Sequence, residues 1–115
     1  MKFAPITYFI TGHFKGPATT TLPVHGYAVR PDTPCPLRLC VRRDPARSGR
    51  WLVDHWDTGM LAPIGARSSR EDAVRDAVAR ICEQERRIMR QLRGPGARES
   101  RALVKAARRE AMERP

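Results

Sequence analysis

Between Ser68 and Gly94 the chain reads as one helix of about six turns, longer than any strand pattern elsewhere, whose apolar face gives out before its end while its arginines continue. Val74, Val78, Ile81, Ile88 and Leu92 recur at spacings of three, four and seven, flanked by Ala73, Ala77 and Met89. Ser68 followed by Glu71 has capping-box spacing, in which hydroxyl and carboxylate satisfy the orphan amides of the first turn. Gly94-Pro95-Gly96 ends the pattern. A helix of about 24 residues is roughly 36 Å long, whereas strands of five to seven residues span only about 17–24 Å. The first half is therefore expected to pack on a sheet and the second half to project. One turn after Ile81 the chain offers Glu85 instead of an apolar residue. Ile88, Met89 and Leu92 then need another cover, either the C-terminal segment or a second copy of the protein.

The sheet itself is predicted from period-two patterning. Residues 5–14 alternate, with Ile6, Tyr8 and Ile10 on one side and Thr7, Phe9 and Thr11 on the other. Residues 24–30 form a weaker strand because Gly26 interrupts them. Leu37, Leu39 and Val41 alternate with Arg38, Cys40 and Arg42, the pattern of a half-buried strand with a basic outer face. RWLVDHW supplies a fourth strand, Asp57-Thr58-Gly59 a turn, and MLAPI at most a short fifth strand, limited by Pro63. Short polar connections favour an antiparallel meander. The expected fold class is α+β: a meander of four or five strands, one long helix on one face, and a second short helix or tail. Residues 1–93 form the domain. Residues 94–115 are a basic segment in which Leu103, Ala106, Ala107 and Ala111 make a thin stripe, so a helix and a frayed tail are both open.

The net charge of +10, with 19 arginines among the 22 basic residues, draws such a chain to polyanions, nucleic acid first. An arginine- and alanine-rich, lysine-poor composition is also what a GC-rich genome encodes, so charge alone does not choose between these readings. No apolar run approaches the roughly 18 residues of a membrane span, and MKFAPITYFITG lacks the core of a signal peptide, which implies a cytoplasmic protein without membrane partners. Three cysteines, Cys35, Cys40 and Cys82, argue against a disulfide framework.

Two arginine groups stand out as candidate contacts to DNA or RNA. Arg38 and Arg42 lie on the outward face of the third strand, with Arg43, Arg47 and Arg50 in the adjoining turn; a basic sheet face of this kind fits a groove. Arg75, Arg86, Arg90 and Arg93 fall within about 60° of one another around the helix. Glu71–Arg75, Asp76–Arg80 and Glu83–Arg87 have i,i+4 spacing and would neutralise the first half, leaving Arg86, Arg90 and Arg93 without acids. Cys35, Cys40, His25 and His55 do not have zinc-site spacing, and no metal or cofactor is expected. Asp54 and His55 are strand neighbours that point to opposite faces, and there is no phosphate loop, nucleophile elbow or HExxH. Neither catalysis nor a small-molecule substrate is implied.

W-L-V-D-H-W-D-T-G, a short apolar piece, and then S-S-R-E-D-A-V-R-D-A resemble segments of small proteins of bacteria and their prophages. Over about 35 residues they also loosely resemble the sheet-plus-helix domain that precedes phage-type integrases, a resemblance that implies DNA binding through the sheet. The expectation is a small non-enzymatic basic binding module associated with nucleic acid. The alternative is a protein–protein interaction or homodimeric structural protein that pairs through Ile88, Met89 and Leu92.

Overall fold

A computed structural model describes residues 1–12, 20–62 and 69–114. Strands β1 (Lys2–Thr11), β2 (Thr21–Arg30), β3 (Leu39–Arg43) and β4 (Trp51–His55) form an antiparallel sheet in the order β1-β2-β3-β4, the meander expected from the alternation. The fifth strand is reduced to a single bridge, Asp54 to Leu61, and Pro63 and Ile64 lie outside the described residues. Helices α1 (Arg70–Glu83), α2 (Glu85–Leu92) and α3 (Pro95–Glu113) follow.

Register decides which side chains share a face. Leu39 pairs with His55 and Val41 with Val53, so Leu39, Val41 and Val53 lie on one face, where Val74, Ala77, Val78 and Ile81 of α1 complete the main core. Their neighbours Cys40 and Asp54 are also opposite each other and occupy the other face, yet both are buried as well. The cover there is α3, which lies against β1 and β2 and buries Ala97, Ser100 and Val104. The 94–115 segment is therefore a packed helix over most of its length. Its inward stripe is Ala97, Ser100 and Val104, shifted from the one expected at Leu103, Ala106, Ala107 and Ala111; Ala106 and Ala111 are exposed.

The long helical pattern is divided. Gln84 leaves helical geometry (φ −112°, ψ 26°) although its amide still donates to Arg80 O at 3.0 Å. A straight rod of roughly 36 Å would overrun a molecule whose longest extent is 34 Å. The break lets α2 turn back, so that Ile88 joins the core and Leu92 packs against it. The expected projecting second half is thus replaced by a folded-back turn. The N-cap lies one residue later than expected, at Ser69, whose Oγ accepts from Asp72 N at 3.1 Å; Ser68 lies outside the described residues. Gly94-Pro95 ends α2 and also starts α3, with Pro95 at the position where a missing amide costs nothing.

The sheet coils until its two edges meet. Thr11 N, on edge strand β1, donates to Gly59 O at 3.1 Å, and Thr11 Oγ1 donates to Thr58 O at 3.1 Å, in the turn beyond the opposite edge strand. Gly59 has φ +67°, and a Cβ there would lie 2.8 Å from Phe9 O and Thr11 N. Gly26 serves the same coiling from inside β2, because a Cβ would come within 2.3 Å of Val41 O.

This closure gives an expected pair of outcomes in urea unfolding. Gly49, at φ +79° with nothing within 4 Å of a built Cβ, should tolerate alanine for about 1–2 kcal/mol of backbone strain. Gly59→Ala should cost that plus about 1–3 kcal/mol of overpacking. Equal losses at the two positions would mean that β1 does not press on the turn.

Candidate nucleic-acid interface

Arginines on this chain divide by what their guanidinium groups touch. Arg42 is not an outward contact. Its Nε donates to Asp54 Oδ2 at 2.8 Å and its terminal nitrogen to Oδ1 at 3.4 Å, with only 11% of the side chain exposed. Tyr8 O–H donates to the same Asp54 Oδ2 at 2.7 Å. Asp54 is thus a buried carboxylate held from two strands, and Arg42 is its counter-charge. The expected basic outer face of β3 is covered because α3 and the coiled β1 lie on that side. Burial pushes the Asp54 carboxyl above its ordinary value, with Arg42 and then Tyr8 pulling it back. Burial and the adjacent Asp54 charge drive the Tyr8 phenol far up, and they push the Cys40 thiol up to about 12.

Arg38 and Arg43 sit on tryptophans at opposite ends of the β3–β4 pair. The Arg38 guanidinium lies 4.5 Å from the Trp56 ring, whose other close cation, Arg108 of α3, is at 3.9 Å and also donates to the Trp56 carbonyl. Arg43 lies 4.8 Å from Trp51. The two tryptophans are therefore both stacking partners for arginine, as well as packing residues. Arg70, at the start of α1, lies 4.2 Å from Phe3 and 4.6 Å from Tyr27.

On α1 the acids do take up charge. Asp76 pairs with Arg80 at 3.5 Å, Asp72 with Arg75 at 3.7 Å, and Glu71 with Arg70 at 3.4 Å in place of the expected Glu71–Arg75. The break at Gln84 separates Glu83 from Arg87, and no Glu83–Arg87 pair forms. Arg86, Arg87, Arg90 and Arg93 are exposed and make no ion pair among the described residues.

One groove, of about 410 Å³, gathers arginines from separate elements: Arg38 ahead of β3, Arg93 at the end of α2, and Arg101 on α3. Asp57 is the one acid among its described lining residues, and Met89 and Leu92 supply apolar wall. Arg101 is fixed by donating to Leu92 O at 3.2 Å. The structure thus brings Arg38 and Arg93 together, sets Arg86 and Arg90 on the exposed side of α2, places Arg43 at the far end of β3, and buries Arg42. Of the three residues expected to await a second copy, Ile88 is buried by its own chain, and Met89 and Leu92 line this groove. Arg101 carries no sequence signal, because the groove exists only once α3 has folded back on the sheet.

His55 borders the same groove but is committed elsewhere: its Nδ1 lies 2.9 Å from Thr58 Oγ1. Burial lowers its pKa, Asp57 opposes this, and Arg101 and Arg108 add to the lowering. Burial thus favours the neutral imidazole. The three thiols are free, and among the described residues no group of three His, Cys, Asp or Glu side chains is placed to hold a metal ion. No helix among the described residues is long and apolar enough to cross a membrane. Comparison with protein-family models, curated proteins and solved structures returned no match.

The Asp54 pair makes a pH-dependent prediction. Arg42→Ala strands a buried carboxylate and should cost about 3–5 kcal/mol near neutral pH. In the variant the folded state holds the Asp54 proton to higher pH than the unfolded chain does, so acidification favours folding. The stability gap to wild type, which cancels the His55 contribution, should narrow as pH falls from about 8 to 5. Urea midpoints across that range measure it, and a gap that stays constant would contradict a charged Asp54–Arg42 pair.

Proposed function

We propose that the protein is a non-enzymatic nucleic-acid-associated module, and that the backbone phosphates of its ligand are met in the groove formed by Arg38, Arg93 and Arg101. The supporting observation is that three arginines from three separate segments line one groove, with a single acid among the described lining residues. Arg38, held on Trp56, and Arg101, held by Leu92 O, keep their positions before the ligand arrives, so less ordering entropy is lost on binding. Arg86, Arg87 and Arg90 extend the positive field along α2 next to this groove, which speeds encounter with a polyanion.

The chemistry around the groove fits binding better than turnover. Asp54 is committed to Arg42 and Tyr8, so it is not positioned to exchange a proton with a bound molecule, and Thr58 holds the His55 ring through Nδ1. The same folding-back that builds the groove weakens the dimer reading, since Ile88 is already covered.

Titration of a fluorescent duplex and a fluorescent single strand at several salt concentrations tests this. The logarithm of the association constant should fall linearly with the logarithm of salt. Replacing Arg38, Arg93 and Arg101 together by Gln should lower the slope by about 2–3, at roughly 0.7–0.9 for each phosphate no longer neutralised. Absence of binding by both probes at low salt, or binding indifferent to salt, would overturn the proposal.

A further inference from the structure

We infer that the uncovered part of the α1 face of the sheet is a second binding surface, and that it takes an unpaired base of a single-stranded nucleic acid. This rests on the nucleic-acid reading above and narrows its ligand. Helix α1 lies across β3 and β4, and the outer part of the same face, on β1 and β2, stays open: Pro5, Thr7 and His25 are exposed. A groove of about 510 Å³ runs there, bounded by those three residues together with Tyr27, Arg43 and Trp51. All six have odd numbers on registered strands, so alternation aims them into the same space.

Charge and ring chemistry commit the occupant. Tyr27 and Trp51 are 6.2 Å apart between ring centroids, a half-buried aromatic pair lining the groove, with Arg70 of α1 4.6 Å from the Tyr27 ring. Arg43 lies against Trp51 at the rim and is the one formally charged side chain among the described lining residues, so the surface is complementary to an anion carrying a flat ring. Aromatic side chains on an open sheet, with arginine beside them, are what unpaired bases stack on, whereas bases within a duplex present only their edges. His25 adds a polar group that can read a base edge. Its Nδ1 lies 2.9 Å from Thr7 Oγ1, and the residue is exposed, with no partner for Nε2 among the described residues. Trp56 is less open to a base, since two cations, Arg38 and Arg108, lie on its ring, whereas Trp51 carries one, Arg43. The basic groove of Arg38, Arg93 and Arg101 lies toward the other end of the β3–β4 pair, about 17 Å away along the strands.

The experiment uses the full chain, with an unstructured DNA, an unstructured RNA and a duplex of the same length as probes. At fixed low salt either single strand should bind at least tenfold more tightly than the duplex. Arg43→Ala and His25→Ala, both outside the core, should each weaken single-strand binding while leaving the duplex nearly unchanged. Loss of base stacking itself, in Trp51→Ala, should weaken single-strand binding roughly five- to hundredfold. If that variant does not fold, the wild-type protein still gives the answer: the Trp51 indole N–H resonance should move on adding a single strand while that of Trp56 stays. A duplex that binds as well as the single strand, with the Trp51 resonance unmoved, overturns this inference and leaves the proposed function intact. No binding by any probe overturns both.

Discussion

A carboxylate with about 1% of its side chain exposed must be compensated where it stands, and Asp54 takes its partners from two other strands, Tyr8 of β1 and Arg42 of β3. β1 and β4 are the two edges of the sheet, so the Tyr8–Asp54 bond ties edge to edge across its inner face. The sheet has to coil for this to form, and the close approaches at Gly26 and Gly59 are the backbone side of the same requirement. Coiling in turn makes the β1–β2 side of the inner face a seat for α3. With α3 seated, both faces of β3 are buried, Trp56 is held by Arg38 and Arg108, and Arg101 is brought to Arg38 and Arg93. The proposed phosphate groove is a consequence of how one buried charge is satisfied.

Much of this fold is legible in the amino-acid order. Alternation through Leu39, Val41 and Val53 marks strands and their core-facing side, and the spacing of Val74, Val78 and Ile81 marks the helix that covers it. What alternation cannot report is a second cover. The stripe that α3 lays on the sheet is Ala97, Ser100 and Val104, small residues that allow close approach but give little periodic hydrophobic signal. Cys40 and Arg42 therefore read as an outer face. The available clue is Asp54, an acid set opposite Cys40 and diagonal to Arg42, which makes sense in a buried setting only if Arg42 turns toward it. The break at Gln84 is similarly hidden, because Ile81 and Ile88 keep the same helical face whether or not the helix is continuous. Only the mismatch between a rod of roughly 36 Å and a small domain indicates that something must bend.

The arginines consequently serve three purposes that composition alone merges. Arg42 is structural, neutralising a buried acid. Arg70, Arg75 and Arg80 have acidic partners on α1, and exposed pairs of that kind contribute little to stability. Arg38, Arg43, Arg86, Arg87, Arg90, Arg93 and Arg101 have no acidic partner among the described residues, and these supply the positive field behind the binding proposals. Arg38, Arg93 and Arg101 gather at the end of the sheet where α2 and α3 meet it, and Arg43 borders the open β1–β2 face.

Edge-to-edge closure of the sheet underlies both places, and the amide of Thr11 reports it directly. In an ordinary edge strand an outward amide is open to water; here it donates to Gly59 O. Hydrogen exchange of the Thr11 amide in the wild-type protein should be slowed toward the rate of core amides such as Val53, and Tyr8→Phe should speed Thr11 selectively. A Thr11 amide that exchanges in the wild type as fast as an unstructured chain would contradict the closure and, with it, the arrangement of arginines built upon it.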